Sequence, residues 1–223
     1  MSKEIQKHKM RQSKVYHKRI RYFAKTIYPV LFLGFFLLGC NPKSPQKSPI
    51  IPSVIIPTDI LQEGDLVFRR GNGLESELVV ALDKVGIYSH IGIVVKDTFA
   101  GWQVVHIVPG EQELAEEPDR IKMEDISLFF REDRANCGAI MRLNGNTQKC
   151  KSASLRAQQL YHQKILFDHT YNIKDTTQMY CTELIDFVFR KENIFLYKEI
   201  IDKKYLLPGD IQVNEKLEVI FRF

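Results

Sequence analysis

The chain has 223 residues, of which 44% are hydrophobic and 26% charged, a composition that suits one globular domain with short appendages. Its formal net charge of +5 is uneven, because residues 1–28 hold nine Lys or Arg and one acid, whereas residues 40–223 hold 23 basic and 26 acidic side chains. No strongly basic region remains outside the N-terminal segment, which argues against a nucleic-acid partner.

The basic N-terminal segment is followed by ten apolar residues, 30–39, and then by Cys40. This pattern predicts a signal peptide over residues 1–39, because so short an apolar run cannot span ~30 Å of hydrocarbon as a helix. Residues 37–40 (LLGC) resemble the bacterial lipobox, which implies an acylated Cys40 and a membrane-anchored lipoprotein in the cell envelope, at the periplasm or outer membrane. A simple secretory signal and an uncleaved anchor are the alternatives, and Met10 is an alternative start.

Residues 40–59 are rich in proline, with five prolines between positions 42 and 57 among Lys, Ser and Gln. Such a segment is typical of an extended, semi-rigid tether. The folded domain is predicted to cover residues 60–223, which is enough chain for one hydrophobic core. We expect it to be a monomer.

The elements of this domain are predicted from the spacing of their apolar residues. Short β-branched or apolar runs indicate strands at residues 64–69, 88–95, 102–108, 138–143 and 217–223. Helical patterns cover residues 74–82, 123–130, 147–163 (with Leu155 and Leu160 facing inward) and 179–189. Residues 109–119 and 205–210 are predicted loops. The sequence therefore predicts an α+β fold, an antiparallel sheet with helices packed on it.

Cys181 lies in the last predicted helix, whose apolar positions 181, 184, 185 and 188 form one buried face. Residues 175–177 (DTT) are all able to cap a helix start, which would put Cys181 in the first turn. The partial positive charge of a helix start favours thiolate over thiol, so Cys181 is a candidate nucleophile. The alternative is a small buried apolar residue of a core helix.

Two histidines fall on the strands of one predicted hairpin, His90 on the first strand and His106 on the second. If the turn centres near residues 98–99, these side chains are close to opposite one another, with Cβ atoms about 5 Å apart. A helix carrying Cys181 on this sheet would complete a set of nucleophile, base and orienting group. The alternatives are two core histidines, or a zinc site, which would lack an identified fourth ligand.

Cys137 and Cys150 are the remaining cysteines of the predicted domain. In an oxidising compartment they could form a disulfide around residues 142–146. The alternative is two unpaired, partly buried thiols.

Three segments together resemble a known family: residues 64–69 (GDLVFR), 89–94 (SHIGIV) and 180–184 (YCTEL). They are similar to the YiiX/YebB-like cysteine hydrolases, which are circularly permuted relatives of the papain-like NlpC hydrolases and of the lecithin retinol acyltransferase-like group. The resemblance runs over residues 60–223. It implies a circularly permuted papain-like (NlpC-type) fold with an antiparallel sheet or barrel.

The resemblance also implies a role for each site residue, with Cys181 as nucleophile, His90 as base and His106 as the third member. Many YiiX-like relatives have an acidic residue at the third place, whereas the acyltransferase branch has histidine. Glu111 and Glu113 are therefore the fallback candidates for it.

Three further side chains have implied positions near the nucleophile. Tyr180, with the backbone N–H of Cys181, is expected to line the oxyanion region. Asp168 and Tyr171 fall where the family has a structural approach to the cysteine.

The sequence thus predicts a cell-envelope cysteine hydrolase that cleaves an amide or ester through an acyl-enzyme on Cys181, with no metal or organic cofactor. Peptidoglycan peptides are favoured as substrates by the NlpC resemblance, and lipid acyl groups by the permuted branch. An acyltransferase using the same site and a catalytically idle lipid- or peptide-binding lipoprotein are the alternatives.

Overall fold

The computed structural model describes residues 54–112, 116–172, 177–198 and 205–223. The predicted signal peptide, Cys40, most of the tether, Glu113 and two of the three candidate caps at 175–177 lie outside the described residues. None of the helices within these ranges is long and apolar enough to cross a lipid bilayer.

Strands and helices are interspersed along the described residues. The strands are β1 Leu66–Arg70, β2 His90–Asp97, β3 Gly101–His106, β4 Lys122–Asp125, β5 Cys137–Leu143, β6 Leu166–Phe167, β7 Gln178–Met179 and β8 Leu217–Arg222. The helices are α1 Leu74–Leu82, α2 Ile126–Phe129, α3 Thr147–His162, α4 Cys181–Arg190 and α5 Pro208–Gln212.

Six of these strands form one antiparallel sheet in the order β4-β3-β2-β1-β5-β8, and β6 and β7 form a separate parallel pair. Helices α3 and α4 pack on β2. The predicted α+β class, an antiparallel sheet with packed helices, is confirmed.

The sheet separates two apolar clusters, because successive side chains of a strand point to opposite faces. Ile91 and Ile93 belong to the larger cluster, which includes the buried residues of α3 and α4. Val94 and Val104 belong to the smaller cluster, which includes Phe129 of α2. His90 alternates with Ile91, so it shares the face of Phe129.

The segment 123–130, predicted as one helix, is divided between a strand and a helix. Lys122–Asp125 is an edge strand paired with β3, and the helix begins only at Ile126. The Asp125 side chain accepts the N–H of Ser127 at 2.8 Å and so caps the helix.

Two other local predictions are corrected by packing. Leu155 is 46% exposed, and the inner side of α3 is formed by Cys150, Ala153, Ser154, Ala157 and Leu160. The predicted loop at 205–210 includes the start of α5.

Helix α4 follows its predicted apolar stripe. Leu184, Ile185 and Val188 are fully buried, and the helix begins at Cys181. Its N-cap residue is Tyr180 and not a residue of the 175–177 segment.

The described cysteines are unpaired thiols, so Cys137 and Cys150 do not form the disulfide that was one of two predicted alternatives. Cys150 lies in the first turn of α3 and is buried, and burial raises the pKa of its thiol to about 11. It therefore stays protonated at neutral pH.

Gly64, just before β1, lies against the backbone of α3. It has a φ of +91°, and a Cβ there would lie 2.4 Å from the Cys150 carbonyl oxygen, whereas Gly145, with a φ of +87°, has nothing within 4 Å of its Cβ position. Both Gly→Ala changes carry backbone strain of about 1–2 kcal/mol, but only Gly64→Ala adds an overpacking cost of about 1–3 kcal/mol. Urea unfolding is expected to show the larger loss for Gly64→Ala, and equal losses would contradict the close approach.

Candidate active site

The sulfur of Cys181 lies at the start of α4, next to the sheet. The backbone N–H groups of Ile91, Thr182 and Cys181 itself face it. Ile91 directly follows His90, so the peptide N–H that faces the thiol belongs to the residue after the first predicted histidine. Among the described residues, no hydrogen bond joins the sulfur to the ring of His90. The His90 ring lies with Phe129 on one face of the sheet, whereas Cys181 packs against the larger cluster on the other face.

Burial dominates the ionisation of Cys181. It raises the pKa of the thiol to about 11, although the three N–H groups and the charge of Arg69 act in the opposite direction. The predicted preference for thiolate is therefore reversed, because the loss of solvent outweighs the helix start. Cys181 is a neutral thiol at physiological pH.

His90 and His106 are in direct contact. Their Nε2 and Nδ1 atoms lie 2.9 Å apart, and the ring centroids lie 5.1 Å apart. The hairpin is shifted from the predicted register, because its pairing runs from Asp97↔Gly101 to Ile93↔Val105. The two histidines consequently meet diagonally.

Gly92 makes this diagonal contact sterically feasible. A Cβ at position 92 would lie 2.6 Å from Val104 Cγ1 and 3.2 Å from His106 Cβ. A side chain there would compete for the space that the histidine rings use.

Glu124 extends the pair and was not identified from the sequence. Its Oε1 lies 3.1 Å from His106 Nε2, and its Oε2 lies 2.8 Å from Arg134 and 3.3 Å from Lys122. Burial tends to raise the pKa of Glu124, but the hydrogen bond from His106 and the two cations outweigh burial and lower it. Glu124 is therefore a carboxylate. The signal that could have found it is the two-residue alternation of Lys122 and Glu124 on an edge strand, which the helical interpretation of this segment concealed.

An ionised Glu124 determines the proton positions on both histidines. A carboxylate only accepts, so His106 Nε2 carries a proton and donates it, which leaves Nδ1 of neutral His106 as an acceptor. Nε2 of His90 must then donate to that Nδ1. Nδ1 of neutral His90 is left with its lone pair, and no partner of this atom is found among the described residues.

Both imidazoles are held neutral. Burial is the largest cause, and it lowers the pKa of His106 and lowers that of His90 well below the ordinary value of 6.5. The charge of Arg69 acts in the same direction on both rings. The ring of Phe129 covers them, with centroids 5.7 Å from His90 and 5.2 Å from His106.

Arg69 is a buried cation beside the dyad, paired in register with His90. Its guanidinium donates to the Phe129 carbonyl at 2.9 Å and forms an ion pair with Glu111. Glu111, a fallback candidate for the third member, thus neutralises Arg69 and does not contact His106 through a hydrogen bond.

The Tyr180 side chain is directed at the segment that precedes α5. Its hydroxyl accepts the N–H of Leu206 at 2.9 Å, and Thr182 donates to the Leu206 carbonyl at 2.6 Å. Burial raises the pKa of Tyr180. The Tyr180 hydroxyl therefore holds residue 206 against the start of α4. That Tyr180 lines the oxyanion region stays a prediction.

Asp168 organises a loop. It accepts the N–H groups of Thr170 at 2.7 Å and Asn172 at 2.6 Å. Burial tends to raise its pKa, but these hydrogen bonds lower it overall. Tyr171 in this loop packs 5.2 Å from the Tyr180 ring, so the contacts of Asp168 and Tyr171 fit a structural role.

A cavity of about 430 Å³ adjoins the Glu124 end of the site. Its walls include Lys122, Arg134, Met123 and Tyr161, and neither Cys181 nor His90 lines it. Within the described ranges, no group of three or more His, Cys, Asp or Glu side chains is arranged to hold a metal ion.

The neutral histidines make stability depend on pH. The folded state excludes protons that the unfolded chain binds below pH 6.5, so the free energy of unfolding is expected to fall as pH drops from 6.5 to about 5, by up to about 1.4 kcal/mol per pH unit for each histidine. Denaturant unfolding at several pH values measures this slope. His90→Asn should flatten it, and the exposed His162→Asn is the matched control that keeps it. Stability that stays constant over this range would show that the rings are not held neutral.

Comparison with known proteins relates the fold to solved structures. No protein-family model and no curated protein matches the chain. The fold is similar to the crystal structure of the metalloprotein YiiX from Escherichia coli O157:H7, with 13% sequence identity and a TM-score of 0.56 over 73% of this chain and 97% of YiiX. At this identity the similarity supports the predicted YiiX-like relationship at the level of the fold alone.

Proposed function

We propose that the chain is a thiol hydrolase in which Cys181 is the nucleophile, His90 the general base and His106 the group that orients the base. The observation that carries this proposal is the hydrogen-bonded series Glu124–His106–His90, which leaves a lone pair on Nδ1 of a buried imidazole. The residue after that histidine, Ile91, directs its backbone N–H at the Cys181 sulfur. Glu124 acts as a positioning residue, because it touches neither the thiol nor His90.

The reaction starts from a neutral thiol and a neutral imidazole. His90 Nδ1 takes the Sγ proton as the sulfur bonds to the carbonyl carbon of an amide or ester. The backbone N–H groups of Cys181 and Ile91, which face the sulfur, stabilise the oxyanion in this proposal. The C–N or C–O bond then breaks and the leaving group receives the proton from His90. Water attacks the thioester as His90 takes a proton from it, the C–S bond breaks, and His90 returns the proton to the Cys181 sulfur.

The finer family assignment is part of the same proposal, a circularly permuted papain-like fold of the NlpC type. It is supported by the YiiX-like architecture and by the chain order, in which His90 precedes Cys181 by 91 residues. Papain-like enzymes of unpermuted order have the cysteine before the histidine.

The location and the substrates follow from the sequence. An acylated Cys40 would hold the enzyme on a cell-envelope membrane, and release of a Cys40→Ser variant from membranes tests this anchor.

Peptidoglycan peptides and lipid-linked amides or esters are the two substrate classes, and an acyltransferase would differ only in the acceptor that takes the acyl group. The idle-binder alternative is favoured by one observation, the raised pKa of the Cys181 thiol.

YiiX is described as a metalloprotein, but a metal site does not fit the described residues of this chain. Nε2 of His90 and both nitrogens of His106 are used within the series, which leaves one imidazole nitrogen and one thiol as donors. No step of the proposed reaction requires a metal.

Replacing the nucleophile tests the proposal directly. Cys181→Ala is expected to keep the fold and abolish turnover, whereas Cys137→Ala, which changes another partly exposed thiol, keeps it. The purified chain is incubated with muropeptides and, separately, with phospholipids, and mass spectrometry detects released products and acylated Cys181. Turnover by Cys181→Ala would rule out the mechanism, and the absence of acylated Cys181 with either class would favour the idle binder.

Glu124→Gln tests the orienting series. We expect kcat to fall by about 10²-fold, the lower end of the range for general acid–base catalysis, with KM nearly unchanged. The Glu124 charge raises the pKa of His90, so its removal should also move the acid limb of the pH–rate profile to lower pH. Glu132→Gln, on an exposed loop, is the control. An unchanged pH profile with reduced kcat would indicate a purely structural role.

A further inference from the structure

Helix α1 has an unusual surface for a helix of nine residues, because none of its residues is buried. Leu74, Leu78 and Leu82 are spaced by four residues and so lie on one side, with exposures of 87%, 60% and 59%. Val85 and Ile87 continue the apolar surface, at 58% and 48%. We call these five residues the α1 surface. Contiguous exposed apolar side chains of this kind mark an interaction site.

The α1 surface is fixed next to the candidate active site. Helix α1 connects β1 to β2 at the end of the sheet where His90 lies. Asp83, directly after the helix, accepts the N–H of Gly209 at 2.6 Å, and Leu206 in the same segment bonds Tyr180 at the start of α4. The α1 surface is thereby tied to the helix that carries Cys181.

The loop around Tyr171 is a second connection between α1 and the start of α4. The charge of Glu75 on α1 acts on the Tyr171 phenol, and the centroid of the Tyr171 ring lies 5.2 Å from that of Tyr180, the residue before Cys181. Helix α1 therefore stands beside the approach to the thiol.

We propose that the α1 surface is a membrane-contact site that inserts into the lipid interface and orients the Cys181 end of the domain toward the bilayer. This goes beyond the proposed hydrolase function and does not depend on it, because the contact requires no reaction at the thiol.

The length of the preceding chain supports a bilayer as the occupant. Thirteen residues separate Cys40, the predicted acylation site, from Val54, the first described residue. The chain from Cys40 to Val54 spans at most about 50 Å when fully extended. The sheet is about 17 Å long from one end to the other, as judged from the five residues of β1. This length is shorter than the reach of the preceding chain. A domain anchored at Cys40 can therefore bring α1 to the same bilayer.

The charges of α1 indicate which force drives the contact. Glu77 forms an ion pair with Arg70 at 2.7 Å. The helix also carries Glu75 and has no Lys or Arg of its own, so it has no excess of positive charge. The contact is therefore apolar, as for a helix that lies in the interface by burying one face, and does not need anionic lipid.

A tryptophan reporter tests the contact in the full chain. Leu78→Trp is reconstituted in vesicles of phosphatidylcholine with brominated acyl chains, which quench only fluorophores that enter the lipid. We expect emission from the introduced tryptophan to shift to the blue and to fall at least about twofold relative to unbrominated vesicles. Leu155→Trp, at a similarly exposed leucine of α3, is the matched control and should not be quenched, with native Trp102 as the common background.

The other results identify other occupants. A blue shift that depends on protein concentration without quenching indicates a second copy of the chain and overturns the proposal, as does equal emission in both lipids. Quenching that disappears at high salt would show an electrostatic contact instead of an apolar one. Val85→Trp serves as a second reporter, and a Cys181→Ala background should leave the quenching unchanged, which separates this proposal from the hydrolase function.

Discussion

The hydrogen bond between His106 and the Glu124 carboxylate is the interaction on which the candidate site depends. Lys122 and Arg134 keep Glu124 ionised, and an ionised Glu124 requires the Nε2–H tautomer of His106. That tautomer in turn requires His90 to donate from Nε2. The Glu124 carboxylate thereby determines, through two rings, that Nδ1 of His90, for which no partner is found among the described residues, carries a lone pair.

The sheet provides the conditions for this series. The hairpin of β2 and β3 supplies the histidines, β4 supplies Glu124, and β1 supplies the buried cation Arg69 beneath His90. Burial under Phe129 keeps the rings uncharged, and such polar groups are tolerated in a core only because each has a hydrogen-bonding partner. Burial on the other face of the sheet raises the pKa of Cys181. The thiol and both imidazoles are therefore neutral at physiological pH.

Much of this arrangement could be predicted from the sequence, and the failures have physical causes. The apolar stripe of α4 placed Cys181 at a helix start, and the β-branched runs placed both histidines on one hairpin. Glu124 was missed because a four-residue strand runs directly into a four-residue helix, which hides the period of each. The ionisation of Cys181 was predicted with the wrong sign, because the helix dipole is a local property, whereas desolvation arises from contacts made across the sheet.

The proton positions on His90 and His106 test this account most directly. Nitrogen NMR of the full chain labelled at histidine distinguishes a protonated ring nitrogen from one with a lone pair, and His90→Asn and His106→Asn variants assign the signals. The account predicts neutral rings at pH 7, each protonated at Nε2 and not at Nδ1, and a disturbed His90 signal in Glu124→Gln. A proton on Nδ1 of His90 would contradict it, since that ring could not then take the proton of Cys181.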